Sequence, residues 1–176
     1  MKGIYWLASY PKSGNTWFRA FLANLLAEIK TPININELGG TPTASARFIF
    51  DDTTGLDSAD LTFEEIDCLR PPVYELLASE TEEPVFLKIH DAYTYTSAGV
   101  PLVSTTATLG AIYFIRNPLD VAVSFAHHSA CEVQEIIDTM GDMDYAFCKS
   151  TRKQAIQLRQ LLTSWSKHCF KLGGCA

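Results

Sequence analysis

Residues 11–17 read Pro-Lys-Ser-Gly-Asn-Thr-Trp, and this stretch decides the fold. It lies between the apolar run 4–8 (IYWLA) and the helix-like stretch 18–29. The pattern predicts a strand, a loop and a helix, in which the first backbone N–H groups of the helix lack intrahelical partners. The helix dipole adds partial positive charge at the same point. We therefore expect an anion-binding loop here.

The side chains of this loop suit a phosphorylated ligand. Lys12 supplies a full positive charge, and Ser13 and Thr16 supply hydroxyl groups. Gly14 lets the backbone come close, and Trp17 offers a flat face for a base. A Walker A loop reads G-x-x-x-x-G-K-[ST], with its Lys after the second Gly, whereas here the Lys precedes the Gly. The loop is therefore not a Walker A loop.

A second segment repeats the order of strand, turn and helix. Residues 111–115 (AIYFI) form a continuous apolar run, which predicts a strand covered on both faces. Pro118 suits the first turn of the following helix, with Asn117 as its cap. Arg116 at the end of the strand and Ser124, eight residues later, could contact one anion. We expect this segment to supply a second phosphate contact.

A third apolar strand, residues 85–89, is followed by a histidine. Lys88 and His90 lie on the same side of this strand, because side chains alternate along it. Taken alone, a histidine at a strand end is more often a structural, hydrogen-bonded residue. However, ligands of open α/β sheets bind outside the carboxyl ends of the strands, where all three segments place their polar residues. The three segments therefore predict an α/β domain with one anion site.

These motifs resemble those of the sulfotransferases that use 3′-phosphoadenylyl sulfate (PAPS). Residues 11–17 resemble the family's 5′-phosphosulfate loop, P-K-S-G-[TNS]-[TS]-W, and residues 116–124 (RNPLDVAVS) resemble its 3′-phosphate motif. The pattern K-x-H at 88–90 occurs at the same point in the family's chain order. The resemblance implies a single domain over residues 1–176, with three α/β/α layers, a central parallel sheet and the P-loop NTPase-like sulfotransferase fold.

The resemblance also implies an activity, which is transfer of a sulfuryl group from PAPS to a hydroxyl or amine of an acceptor, leaving PAP. The acceptor would be a small molecule or a glycan, and no metal would be needed. His90 would be the catalytic base, with Lys12 and Lys88 also catalytic. The residues implied to bind the cofactor are Lys12, Ser13, Gly14, Asn15, Thr16, Trp17, Arg116 and Ser124.

The sequence departs from the family near its end. Typical members continue into another strand and a motif R-K-G-x-x-G-[DE]-W-[KR], which covers the adenine and the 3′-phosphate. Residues 171–174 (KLGG) resemble that motif only faintly. We therefore expect a domain truncated at the carboxyl terminus, with weaker cofactor binding. The exposed end of the sheet could be covered by a second copy, which would give a homodimer.

Two other functions stay open. The first is a catalytically impaired remnant that binds PAP or PAPS, or a module that binds a partner protein. The second is a P-loop kinase acting on a small molecule. The position of Lys12 and the lack of a clear Mg²⁺ carboxylate after an apolar strand count against the kinase.

Composition excludes several classes of protein. With 47% hydrophobic residues and a net charge of −6, the chain is globular and is not expected to bind nucleic acid. Five cysteines without a C-x-x-C pair predict reduced thiols and a cytoplasmic location. His127 and His128 are neighbours on a predicted helix, so they cannot form the paired face of a metal site. No apolar stretch approaches the length of a membrane span.

The remaining segments are predicted more coarsely. Thr62 and Glu65 form a capping-box pattern at the start of a helix that Pro71 and Pro72 are expected to interrupt. The other expectations are a loop with short helical turns at 31–60, a connection with one short helix at 91–108, and a long amphipathic helix at 145–172.

Overall fold

The centre of the molecule is a parallel sheet. The computed structural model describes residues 2–27, 31–34, 42–149 and 155–170. Three strands lie in the order β2, β1, β3, and their bounds are Ile4–Ser9 for β1, Val85–Ile89 for β2 and Thr108–Phe114 for β3. Both neighbours pair with β1 in parallel. This arrangement brings the carboxyl ends of all three strands to one edge.

Helices and a short antiparallel pair of strands surround this sheet. The helices are α1 (Asn15–Ala27), α2 (Arg47–Thr54), α3 (Phe63–Glu80), α4 (Pro118–Ser129), α5 (Val133–Gly141) and α6 (Trp165–Phe170), with a 3₁₀ turn at Ser58–Asp60. Strands β4 (Ala146–Phe147) and β5 (Gln160–Leu161) pair antiparallel. The predicted α/β class, with a central parallel sheet and helices on both sides, is confirmed.

Two apolar clusters hold the helices in place. The first joins Ile4 and Trp6 of β1 to α2 and α3, where Phe50 and Tyr74 are buried. The second joins Tyr10, after β1, to α4 and α5, together with Leu162. Burial of large apolar side chains contributes about 1.5 to 3 kcal/mol for each of them. The loop of residues 11–14 therefore starts from a firmly packed strand.

The helix caps that the sequence predicts are present. The Thr62 side chain accepts a hydrogen bond from the backbone N–H of Glu65, and the Glu65 carboxylate accepts one from the backbone of Thr62. At the start of α4, the Asn117 side chain accepts from the backbone N–H of Leu119, and Pro118 occupies the first turn. Both predictions are confirmed.

The predicted interruption of α3 is wrong. The helix continues through Pro71 and Pro72 to Glu80. A proline inside a helix costs about 3 kcal/mol or more through its missing N–H and its ring. Here the flanking turns are held by buried side chains, among them Arg70 and Tyr74. We infer that this packing offsets the cost.

The predicted long helix at 145–172 is also wrong. The described part of this segment contains the paired strands β4 and β5 and the short α6. Backbone bonds to distant residues replace those of a helix: the N–H of Leu158 donates to the Ser45 carbonyl at 2.7 Å, and the N–H of Leu162 donates to the Tyr145 carbonyl at 2.9 Å. These tertiary pairings bury Leu158 and Leu162, two of the apolar residues in this segment.

Three smaller expectations also change. Residues 91–107 contain no helix, since their turns are fixed by backbone bonds such as Thr96 to Val100. The described part of 31–60 contains α2 and the 3₁₀ turn, so it is more helical than a loop. Strand β3 is not covered on both faces: it is an edge of the described sheet, and the side chain of Ile112 is 40% exposed.

Candidate active site

The loop between β1 and α1 has an unusual backbone. Lys12 adopts a φ of 66° and Gly14 a φ of 104°, and positive φ values are uncommon for residues other than glycine. A Cβ atom at Gly14 would meet no protein atom within 4 Å, so the backbone here is open to its surroundings. The first helical hydrogen bond runs from the N–H of Phe18 to the Gly14 carbonyl at 3.1 Å. The loop therefore presents backbone at the start of α1.

Asn15 connects this loop to β1. Its side-chain Nδ2 donates to the Leu7 carbonyl at 2.7 Å and to Ser9 Oγ at 3.3 Å. Asn15 is 4% exposed, so these bonds lie in a buried setting. The Asn15 amide therefore links the start of α1 to the end of β1. The place of Asn15 in the motif did not indicate this structural role.

His90 is held in one tautomer. Its Nδ1 lies 2.7 Å from the Ser9 carbonyl oxygen, which can only accept, so Nδ1 must carry the proton. The other ring nitrogen, Nε2, is therefore left with a lone pair. Burial, and then the charge of Lys88, lower the pKa of His90 to about 3, against the opposing effect of the Ser9 carbonyl. The ring is therefore neutral at physiological pH, with a lone pair on Nε2, but it is a weak base in this state. An anion that offset the charge of Lys88 would raise the pKa of His90 towards the working pH.

A second histidine, His168, hydrogen-bonds the backbone of His90. His168 Nε2 donates to the His90 carbonyl at 2.9 Å, and its Nδ1 accepts from the Tyr113 hydroxyl at 2.6 Å. His168 is 1% exposed, and burial lowers its pKa. These two hydrogen bonds connect β3, through His168 of α6, to the backbone of His90 and hold that backbone in place.

The residue after His90 is anchored even more firmly. Asp91 receives two hydrogen bonds from the guanidinium of Arg70, at 3.0 and 2.6 Å, and one from the N–H of Leu161 at 3.0 Å. Arg70 and Asp91 are both buried. Breaking a buried, hydrogen-bonded pair by removing one partner costs about 3 to 5 kcal/mol. The pair ties α3, β2 and β5 together beside the site.

Positive charge accumulates around the strand ends. Burial, and then the neighbouring cations Arg19 and Lys12, together lower the pKa of Lys88 to about 8. A depressed lysine pKa means that no anion nearby compensates the charge. Such a cluster of cations is a site where an anionic ligand would be stabilised.

Arg116 joins the end of β3 to the loop. Its Nη1 donates to the Lys12 carbonyl at 3.1 Å, and its Nε lies 4.0 Å from a carboxylate oxygen of Asp120. The guanidinium is half-exposed, so the Asp120 contact contributes little to stability. The contact with Lys12 brings the two sequence motifs, about a hundred residues apart, to the same place.

These residues surround one cleft of about 400 Å³. The predicted site residues that line it are Lys12, Gly14, Asn15, Thr16, Lys88, His90, Arg116 and Ser124. Two predicted residues do not. Ser13 is 8% exposed, and its hydroxyl has no hydrogen-bond partner among the described residues. The Trp17 ring is 74% exposed and stacks on Phe21, with 6.2 Å between the ring centroids.

The cleft is also lined by residues that were not among the predicted site residues: Pro11, His128, Phe147, Gln157 and Gln160. His128 lies one helical turn after Ser124, which is a spacing that could have suggested it. The two glutamines lie in the segment that we predicted to be a long helix, so no sequence signal placed them beside His90.

The chain matches the model of a known protein family. The family model described as "Sulfotransferase domain" matches residues 4–171. The chain belongs to the sulfotransferase domain family. A comparison with curated proteins returned no match. The resemblance stated from the sequence motifs is thereby confirmed.

The residues of this sulfotransferase domain fit an anionic ligand. The open backbone at Gly14 and the depressed pKa of Lys88 both favour an anion at the loop. No Asp or Glu side chain is among the described residues that line the cleft. Among the described residues, no cluster of His, Cys, Asp and Glu could hold a metal ion. None of the described helices is long and apolar enough to cross a membrane.

The buried, neutral state of His90 predicts an acid-sensitive fold. The unfolded histidine titrates near 6.5 and the folded one near 3, so the unfolded state binds the proton first as the pH falls. The stabilising effect is present above pH 6.5 and is lost between that pH and 3. Between pH 7 and 5 the free energy of unfolding should fall by up to about 2 kcal/mol more in the wild type than in His90→Asn. Urea unfolding at the two pH values measures this difference.

In this test Asn keeps a donor in place of the histidine Nδ1, so the bond to the Ser9 carbonyl can be retained. Any constant loss of stability in His90→Asn cancels, because only the change between pH 7 and 5 is compared. Equal losses in the two proteins would contradict the neutral state assigned to His90.

Proposed function

We propose that this protein is a PAPS-dependent sulfotransferase, which moves a sulfuryl group from PAPS to a hydroxyl or amine of an acceptor. The observation that carries the proposal is the meeting of Lys12, Lys88, Arg116 and His90 in one cleft. Three cations suit a highly anionic donor, and a neutral histidine beside them suits removal of a proton.

The residues divide into two groups around the donor. The backbone of the loop with Lys12 and Thr16 would hold the 5′-phosphosulfate, at the positive end of α1. Arg116 and Ser124 would hold the 3′-phosphate, with His128 beside them. Trp17 is exposed, and we propose that its ring packs against the adenine when the donor is bound.

The reaction needs one base and a group that stabilises developing charge. When bound, PAPS supplies an activated sulfuryl group whose bond to the phosphate oxygen breaks as a bond to the acceptor oxygen or nitrogen forms. His90 Nε2 takes the proton that the acceptor loses, so the products are PAP, the sulfated acceptor and a proton that later passes to water. Lys12 stabilises the charge that develops on the leaving phosphate, and Lys88 contacts the transferred group.

The lining of the cleft favours this reaction over phosphoryl transfer by a kinase. A kinase holds Mg²⁺ with carboxylates, and the described lining residues include none. The loop also lacks the Walker A order of glycine and lysine. A non-catalytic protein that binds PAP would have no need of a base held in one tautomer, as His90 is.

Location and assembly form part of the same proposal. The described cysteines, Cys68, Cys131, Cys148 and Cys169, are all free thiols, which suits a reducing compartment such as the cytoplasm. We also propose a homodimer in which a second copy covers the edge of β3, where Ile112 and Ile115 are exposed.

A radiolabel assay tests the proposed activity. The protein is incubated with [³⁵S]PAPS and a panel of alcohols, phenols and amines, and in parallel with [γ-³²P]ATP, Mg²⁺ and the same panel. We expect ³⁵S to appear in at least one acceptor and ³²P in none. Transfer of ³²P alone would show a kinase. Transfer of neither label, together with PAP binding in a parallel titration, would favour a non-catalytic relative.

A further inference from the structure

We propose that Gln157 and Gln160 form the acceptor-recognition element of this cleft, and that the acceptor is a neutral, polyhydroxylated molecule of carbohydrate type. This inference rests on the proposed function, because it assigns a substrate class to the same site. Both residues line the cleft that contains Lys88 and His90.

The side-chain amides of Gln157 and Gln160 are hydrogen-bonded to each other, and one oxygen of the pair has no partner among the described residues. Gln160 Nε2 donates to Gln157 Oε1 at 2.9 Å, and Ser45 Oγ donates to the same oxygen at 3.3 Å. Gln160 is 1% exposed, and its Oε1 has no hydrogen-bond partner within the described part of the chain. A buried polar atom without a partner is costly, so the oxygen is suited to a ligand hydroxyl.

The pair is held at a fixed position relative to the base. The N–H of Ala92 donates to the Leu161 carbonyl at 2.8 Å, and the N–H of Leu161 donates to Asp91 Oδ1 at 3.0 Å. Asp91 is adjacent to His90 in the chain and is itself fixed by the buried guanidinium of Arg70. Because β5 is attached to the residues that follow β2, Gln160 and His90 should move as one unit.

The chemistry of the pair favours hydroxyl groups. A carboxamide is uncharged and offers both donors and an acceptor, as does each hydroxyl of a sugar. An ionised amine or carboxylate on the acceptor would call for a charge of opposite sign, which neither glutamine provides. Phe147 is the only Phe, Tyr or Trp among the described lining residues, so the cleft offers one apolar ring for stacking against a flat acceptor.

An apolar pocket does exist, but it lies on the other side of the strand. This pocket of about 300 Å³ is lined by Trp6, Ala8 and Ile89 among others. Alternation along the chain places Lys88 and His90 in the cleft, whereas Ile89 and Asp91 line the apolar pocket. A phenol bound there would be separated from the His90 ring by β2. The polar cleft is therefore the place where the acceptor meets the base.

Saturation-transfer NMR on the PAP-loaded full chain tests this inference without turnover. The probes are methyl glucoside and methyl N-acetylglucosaminide, with 2-naphthol as the apolar comparison. We expect saturation transfer to the glycosides and at least about a tenfold weaker affinity in Gln160→Met, the loss expected from one hydrogen bond to a buried amide. The matched control is Gln134→Met, an exposed residue of α5 outside the cleft, which should leave glycoside affinity unchanged.

The outcomes distinguish failure of this inference from failure of the proposed function. Retained PAP affinity in Gln160→Met shows that the variant is folded, and Gln157→Met provides a second test if it is not. Stronger binding of 2-naphthol than of the glycosides, or unchanged glycoside affinity in a folded variant, would overturn the inference. Failure of the wild type to bind PAP would instead contradict the proposed function, and glycoside spectra recorded without PAP would still decide the acceptor class.

Discussion

His90→Asn should reduce sulfuryl transfer by about 10²- to 10⁴-fold, the range in which a positioned general base contributes. The substitution removes the Nε2 lone pair, while the Asn amide can still donate to the Ser9 carbonyl in place of Nδ1. The geometry of the strand end is therefore preserved and only the proton acceptor is lost. The rate of ³⁵S transfer from PAPS to the acceptor is measured at saturating PAPS for the wild type and for His90→Asn, and the two rates are compared.

Binding of PAP provides the control for this variant. His90 contributes no positive charge, because its ring is neutral at physiological pH. The dissociation constant for PAP should therefore change by less than about threefold in His90→Asn, which corresponds to under 1 kcal/mol. A variant that binds PAP normally and still transfers at the wild-type rate would show that another group is the base.

The sequence predicted the parts of the site that depend on local structure. The loop at 11–17, the Asn117 cap and the alternation of Lys88 and His90 need only a strand, a turn and a few neighbouring residues. Because parallel strands bring their carboxyl ends to one edge, the convergence of these segments followed from their type. The family's motifs lie on these local elements, and for this reason the family could be identified before any contact was known.

Features that depend on distant contacts could not be predicted in the same way. Residues 155–164 looked helical, but their backbone bonds go to Ser45, Tyr145 and Ala92. The continuity of α3 through two prolines likewise depends on buried neighbours that include Asp91. Gln157 and Gln160 have no motif, and they enter the cleft only because β5 is attached beside His90. The acceptor side of the site was therefore hidden from the sequence.

Removing the two cations that meet at the loop should have the largest effect on donor binding. The double variant Lys12→Ala, Arg116→Ala removes the ammonium group of Lys12. It also removes the guanidinium of Arg116, which donates to the Lys12 backbone carbonyl at 3.1 Å. Each charge-assisted hydrogen bond to phosphate contributes about 1.5 to 3 kcal/mol, so losing two should weaken PAP binding by about 10²- to 10⁴-fold. Lys2→Ala is the control, because Lys2 lies before β1, outside the cleft, and donates to the Ser79 carbonyl.

Calorimetric titration of the wild type, the double variant and the control with PAP, and of the wild type with ATP and Mg²⁺, tests the central claim most directly. We predict that the wild type and Lys2→Ala bind PAP with similar affinity, that the double variant loses this binding, and that ATP binds at least about tenfold more weakly than PAP. Equal or tighter binding of ATP, or PAP binding that survives in the double variant, would contradict the account.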